Sequence, residues 1–290
     1  MSCSSCRSGR SVWLAIVLTG VFGVLPARGE DKTPPSASSL DAETRTRVVE
    51  SFNRWAAAIH SLSAGGKARV GAEGEKTRVF QFSLLLSRPG NARVQGRWGG
   101  LATLFDLSGD GKGWTLYLPQ DRVVVRSRPD AQSAGLLVPP RELLAVLLPT
   151  GIPPKDMDQE GAASLESGLA RLVVPPGKGG AGSALHRVLW LDSESGTPRR
   201  MEIRRSSQLE APVLIAKYEH YEEGGRFSIP GEISVEFPET SQWARFDLET
   251  TRVNTAVESK SFSINIPTGT REVPADELTP DFLPEAEDQK

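Results

Sequence analysis

Cysteine is almost missing from this sequence. Of 290 residues only Cys3 and Cys6 are cysteine, and both precede the first apolar run. Beyond residue 29 the chain therefore has no disulfide framework and no thiol chemistry, and must hold together by burial. Histidine is scarce as well. His60, His186 and His220 are the three, none in an H-E-x-x-H or comparable metal spacing. They read as half-buried or surface residues, and no metal site or cofactor is expected. No G-x-S-x-G elbow, Walker loop or penicillin-binding serine–lysine set is present, so an enzyme is disfavoured. Charge of one sign is lacking too. The net charge of −2 leaves no basic stripe of the kind nucleic acid requires.

Two strings imitate functional motifs. Gly177-Lys-Gly179-Gly-Ala-Gly182 matches G-x-G-x-x-G, but Leu185 to Leu191 after it alternates like a strand. A dinucleotide site needs a helix there, so that its N-terminus meets the pyrophosphate. Asp106 to Gly113 has the flavour of a calcium loop without the alternate acidic ligands or the closing glutamate. Both read as glycine-rich turns.

The N-terminus carries Arg7 and Arg10, then the uncharged apolar run Val12 to Leu25, then Ala27-Arg28-Gly29. That pattern predicts a secretory signal peptide over 1–29, and the run is short for a membrane span. No cysteine follows it, so the exported protein is expected without a lipid anchor. Residues 30–40 are Pro/Ser-rich and read as a flexible lead. A folded domain is expected over 41–274. The acidic tail 275–290 is expected to be disordered.

Within the domain, Val48, Phe52, Trp55 and Ile59 recur at helical spacing after Asp41, a candidate N-cap, and Ser63-Ala64-Gly65-Gly66 reads as the helix end. Phe80, Phe82, Leu84 and Leu86 then alternate with polar residues. They open a meander that runs to Arg126 through turns at Pro89-Gly90-Asn91, Gly99-Gly100 and Pro119-Gln120-Asp121. Pro139-Pro140-Arg141-Glu142 starts a short helix with Leu143, Leu144, Leu147 and Leu148 on one face, ended by Pro149. Strand rhythm resumes at Leu169 and continues to Ser261–Ile266. The total is about ten or eleven antiparallel strands and two helical pieces, a mainly β (α+β) fold. Two short helices cannot cover so wide a sheet. Its apolar face is either core or the wall of a lipid-sized cavity.

Three stretches make the reading more specific. Leu85-Leu-Ser-Arg88-Pro89-Gly-Asn91, Leu107-Ser-Gly-Asp110-Gly111-Lys112-Gly-Trp114, and Ser261-Phe262-Ser-Ile264-Asn-Ile266-Pro267-Thr-Gly269 occur in this order behind the first helix. Together they resemble the LolA/LolB superfamily of bacterial outer-membrane lipoprotein-sorting proteins, the periplasmic carrier LolA more than its anchored acceptor. The resemblance implies an incomplete antiparallel β-barrel with helices lidding its open side, around a hydrophobic cavity for acyl chains. It implies a carrier of lipoprotein acyl chains or another lipid, with an inner-membrane lipoprotein transporter and an outer-membrane acceptor as partners. Arg88 matches the arginine that latches the lid. The cavity lining is expected among Phe82, Leu84, Trp98, Leu116, Leu118, Leu144 and Leu147. The same half-barrel also serves non-catalytic envelope regulators, which is the alternative function.

Overall fold

The computed structural model describes residues 38–99, 102–110, 113–127, 138, 140–152, 163–175, 185–224 and 227–275. The expected signal peptide, the Gly177–Gly182 loop and the acidic tail beyond residue 275 lie outside the described residues.

Helix α1 (Ala42–Ala58) begins where the sequence places it, with Asp41 Oδ1 accepting the Thr44 N–H at 2.8 Å. This N-cap holds the Asp41 carboxyl below its usual range. Val48, Val49, Phe52, Trp55 and Ala56 form the buried stripe. The strands that follow are β2 (Ser61–Ala72), β3 (Arg78–Ser87), β4 (Asn91–Trp98), β5 (Ala102–Asp110), β6 (Trp114–Leu118) and β7 (Val123–Arg126). Helix α2 (Pro140–Leu147) interrupts them. Then come β8 (Ala163–Glu166), β9 (Leu169–Val174), β10 (Leu185–Asp192), β11 (Pro198–Arg205) and β12 (Gln208–Gly224). The last are β13 (Phe227–Phe237), β14 (Gln242–Val253) and β15 (Arg271–Pro274), while Ser38–Ser39 forms β1 ahead of α1.

All fifteen strands belong to one sheet, in the order β1-β8-β9-β10-β11-β12-β13-β14-β2-β3-β4-β5-β6-β7-β15. The sheet is open: β1 and β15 are its two edges and do not pair with each other. Every neighbour is antiparallel except β15, which runs parallel to β7. This is the incomplete barrel expected, and the helices lie against one face of it. The strands beyond the expected ten or eleven are chiefly β1, β8 and β15, of two, four and four residues. Segments so short show no readable alternation.

Two boundaries differ from the sequence reading, each for a physical reason. Ser63-Ala64-Gly65-Gly66 does not end the helix, which stops at Ala58; it lies inside β2, paired with β3 and β14. The glycines are there because β14 comes close. A Cβ on Gly66 would lie 1.8 Å from the Asp247 carbonyl oxygen, beside the register shift between Leu248 and Thr250. Nor is Ser261–Ile266 a strand. Ser259–Phe262 is a 3-10 turn whose carbonyls are taken by side chains: Arg93 Nη1 donates to Ser261 O at 2.9 Å, and Ser108 Oγ to Phe262 O. With those acceptors occupied the segment has no ladder to join, and β15 supplies the edge instead.

The helix-facing side of the central strands has a floor of small residues. Along β2 the inward positions are Leu62, Ala64, Gly66, Ala68 and Val70, and β4 contributes Ala92 and Gly96. Aromatic rings lean over this floor. Phe82 meets Phe246 edge to face at 5.3 Å, and the Phe105 ring crosses Gly96, where a Cβ would lie 2.3 Å from its Cε1. Gly66→Ala meets fixed backbone, whereas Gly96→Ala meets a ring that can turn. Thermal denaturation should therefore show a larger loss for Gly66→Ala, about 3 kcal/mol, than for Gly96→Ala, about 1 kcal/mol.

Candidate functional site

Helix α2 packs on the inner face of the sheet through Leu147, and the small spaces beside that side chain mark the site. Two residual apolar spaces of about 10 Å³ each, room for roughly one water-sized sphere, flank Leu147. The first is lined by Phe82, Leu84, Val94, Ile233, Phe246 and Leu248 besides Leu147. The second adds Trp55, Leu62, Pro149, Tyr218 and Ile229. Leu147, Ile233 and Leu248 border both. The linings of the two spaces, with Leu147 between them, form one apolar strip, or trough, across β12, β13, β14, β2, β3 and β4.

Four polar side chains hold α2 and the segment after it in place. Arg88, at the end of β3, donates from Nε to Ile59 O at 2.9 Å and from Nη2 to Pro149 O at 3.0 Å. One guanidinium so ties the exit of α1 to the exit of α2. Arg187 on β10 donates from Nε and Nη2 to Glu142 Oε2 at 3.0 and 2.9 Å, and from Nη1 to Thr150 Oγ1 at 3.0 Å. Tyr218 on β12 donates its hydroxyl to Val146 O at 2.7 Å. Asn53 on α1 donates from Nδ2 to Ile152 O at 2.9 Å, and Ile152 N–H returns the bond to Asn53 Oδ1 at 2.7 Å. Every acceptor or donor on the α2 side lies between residues 142 and 152.

The electrostatics of the clasps differ. Arg88 is half-buried, and desolvation pushes its pKa below the ordinary guanidinium value. Its acceptors are neutral carbonyls; among the described residues no carboxylate pairs with it. Arg187 by contrast meets Glu142, which is 5% exposed on the sheet-facing side of α2. Burial lifts the Tyr218 hydroxyl well above its ordinary pKa and that of nearby Tyr221 above its own. Both are therefore neutral donors in the folded chain.

The structure distributes the sequence-derived candidates unevenly. Phe82, Leu84 and Leu147 line the residual spaces. Leu116 and Leu118 are buried on β6, outside the residues lining those spaces, and Leu144 is partly buried with its Cδ1 near Gly109. Trp98 sits at the end of β4, 55% exposed, and borders neither space. The most buried residues of α2 are Glu142 and Val146 rather than the leucines. Sequence reasoning missed Glu142, Arg187, Tyr218 and Asn53. The one available signal was Glu142 itself, the lone carboxylate of α2 and four residues before Val146.

Little else offers chemistry. Among the described residues, Glu219, His220 and Glu232 could gather on a cation, but Arg245 Nε already pairs with Glu232 at 2.9 Å. Leu185–Asp192 is a strand, so no helix follows the glycine string at 177–182. No helix among the described residues is long and apolar enough to cross a membrane.

These features define a class: an open antiparallel half-barrel whose apolar concavity is closed by helices held through side-chain hydrogen bonds. No family model and no curated protein matches the sequence. Solved structures do match the fold. A LolA superfamily protein from Nitrosomonas europaea superposes with a TM-score of 0.54 at 13% identity, over 76% of this chain and 97% of that one. A crystal structure titled for an outer membrane lipoprotein-sorting protein domain from Vibrio parahaemolyticus gives 0.50 at 14% identity, over 76% and 94%. The chain has the fold expected from the resemblance.

Two predictions follow from the clasps. Arg88→Ala removes both of its side-chain bonds to the lid. It should lower global stability by about 2 kcal/mol and speed hydrogen exchange in α2 more than in α1. The tyrosines predict an alkaline limit. An acid whose folded pKa is raised contributes stability that is full below its unfolded value, about 10, and is lost as pH rises above it. Denaturant unfolding should show stability falling above about pH 10, by up to about 1.4 kcal/mol per pH unit for each tyrosine. Tyr218→Phe should shallow that slope while costing about 1 kcal/mol at neutral pH.

Proposed function

We propose that this protein is a non-enzymatic carrier that binds the acyl chains of lipoproteins, or of another lipid, in the trough beneath α2, and moves them between envelope membranes. The observation that carries this is the placement of Leu147. A single leucine side chain on a helix held by polar bonds divides an apolar trough that runs across six strands. With α2 displaced, Phe82, Leu84, Val94, Phe246 and Leu248 become the wall of one continuous groove. Arg88 acts as the lid latch. Phe82, Leu84 and Leu147 are the central lining, Leu116, Leu118 and Leu144 belong to its outward extension toward β6, and Trp98, exposed at the end of β4, lies outside it.

The energetics suit reversible binding. Each buried CH₂ contributes about 0.8 kcal/mol, so a long chain can offset the few bonds of the clasps and the re-exposure of Leu147. No covalent step is needed. The pattern of the first 29 residues supports export to the periplasm, where an inner-membrane transporter would load the carrier and an outer-membrane acceptor would unload it.

Fluorescence provides the test. Trp55 lines the second space and donates its indole N–H to Ser228 O at 2.9 Å, whereas Trp98 faces solvent. Titration with an acylated lipoprotein or a long-chain lipid should shift the emission of the wild type and much less that of Trp55→Phe. Trp98→Phe should respond like the wild type. If no long-chain ligand alters the emission or displaces a hydrophobic dye, the carrier reading fails. Recovery of one defined protein partner in place of lipid would then favour the regulator.

A further inference from the structure

The two arginine clasps converge on consecutive residues. Arg88 Nη2 donates to the carbonyl of Pro149, and Arg187 Nη1 donates to the hydroxyl of Thr150. Adjacent Cα atoms are about 3.8 Å apart, so two guanidiniums from opposite flanks of α2 are focused on one spot. Pro149 also lines the second apolar space. The spot therefore lies beside the second space.

The occupants of those donors are mismatched to them. Arg88 is half-buried, with two neutral carbonyls as its acceptors. Arg187 meets one carboxylate, Glu142. Among the described residues two cations thus face one anion at this spot, and all their acceptors named above except Ile59 O ride on α2 or the segment directly after it. When the lid leaves, Arg88 loses Pro149 O, and Arg187 loses Glu142 and Thr150. A bare hydrocarbon ligand would refill the trough and leave both guanidiniums short of acceptors, which is costly for partly buried donors. An anion at the same spot would restore them with charge-assisted bonds, roughly twice as strong as those to carbonyls. A ligand can shift the lid only by the difference in its affinity for the two states, and that difference is largest for an acyl chain bearing an anionic head.

Resting on the carrier reading, we infer that the ligand class is an acyl chain with a carboxylate or phosphate close to its head, and that Arg88 and Arg187 together take that anion once α2 has moved. The two residues so have paired roles. They fasten the lid when no ligand is bound and supply the headgroup site when one is.

The experiment compares hexadecanoate with hexadecanol on the full chain, by displacement of an uncharged hydrophobic dye at a pH where the carboxylate is ionised. Wild type should bind the carboxylate about tenfold more tightly than the alcohol. In Arg88→Gln and Arg187→Gln that preference should fall to about threefold or less, with alcohol binding unchanged or tighter because the clasp is weaker. Arg187→Gln removes the ion pair with the buried Glu142. The double variant Arg187→Gln/Glu142→Gln therefore serves if the single one fails to fold. A purely structural role for the arginines would change both affinities together and leave the ratio untouched, which overturns the inference. Equal binding of acid and alcohol by the wild type overturns it as well and leaves the carrier reading standing. Binding of neither probe overturns both. Acetate or inorganic phosphate competing as well as hexadecanoate would mark a free-anion site and also overturn it.

Discussion

Everything on the inner face depends on how residues 142–152 are fastened. This stretch has no covalent anchor; the neighbouring described chain contains no cysteine. It is held by Arg88, Arg187, Tyr218 and Asn53, which reach it from β3, β10, β12 and α1. The three strands among them are spread from β10 to β3 in the sheet order, so the clasps brace the curled sheet as well as the lid. Hydrogen bonds between side chain and backbone suit this double task. Each contributes only about 1 kcal/mol net, more where the donor is charged, so the set is firm together and yields bond by bond.

The floor sets the complementary constraint. Gly66 and Gly96 exist because the Asp247 carbonyl and the Phe105 ring occupy the space a side chain would need. Ala64 and Ala68 continue the same shallow track along β2. Small residues at alternate positions keep the sheet surface low there, while Phe82, Phe246 and Leu248 rise on either side. The depth of the trough follows from this alternation of sizes, and Leu147 is the side chain that descends into it.

Much of the architecture was legible in the sequence, because period-two and period-3.6 patterns report burial on one face. Phe80 to Leu86 are inward as read, and Asp41 caps α1. The failures are instructive. Gly65-Gly66 reads locally as a helix stop, since nothing nearby in sequence reveals that β14, nearly two hundred residues on, approaches that backbone. Ser261–Ile266 alternates like a strand, but Arg93 and Ser108 take the carbonyls a ladder would use. The site was half legible. Arg88 came only from the resemblance carried by its Arg-Pro stretch, and Phe82 and Leu84 from alternation. Arg187, Tyr218 and Asn53 look like ordinary members of their strands or helix, because their partners, side chains for Arg187 and backbone atoms for the other two, sit on a segment that only the fold brings near.

In the proposed carrier, closing the trough with a leucine would make the exchange with lipid nearly neutral in hydrophobic terms. An acyl chain that displaces Leu147 buries the same Phe82, Leu84, Val94 and Leu248 surfaces the leucine had covered. Re-exposing a half-buried leucine costs about 1–2 kcal/mol, an amount that two or three CH₂ groups offset. With the apolar terms close to balance, the polar clasps decide which state is populated. A carrier must release what it binds, and a lid sealed by a large dry interface would make either capture or release too slow. Placing the decisive energy in a few hydrogen bonds at the rim keeps both states within a few kcal/mol, the gap over which a binding partner or an anionic headgroup can act.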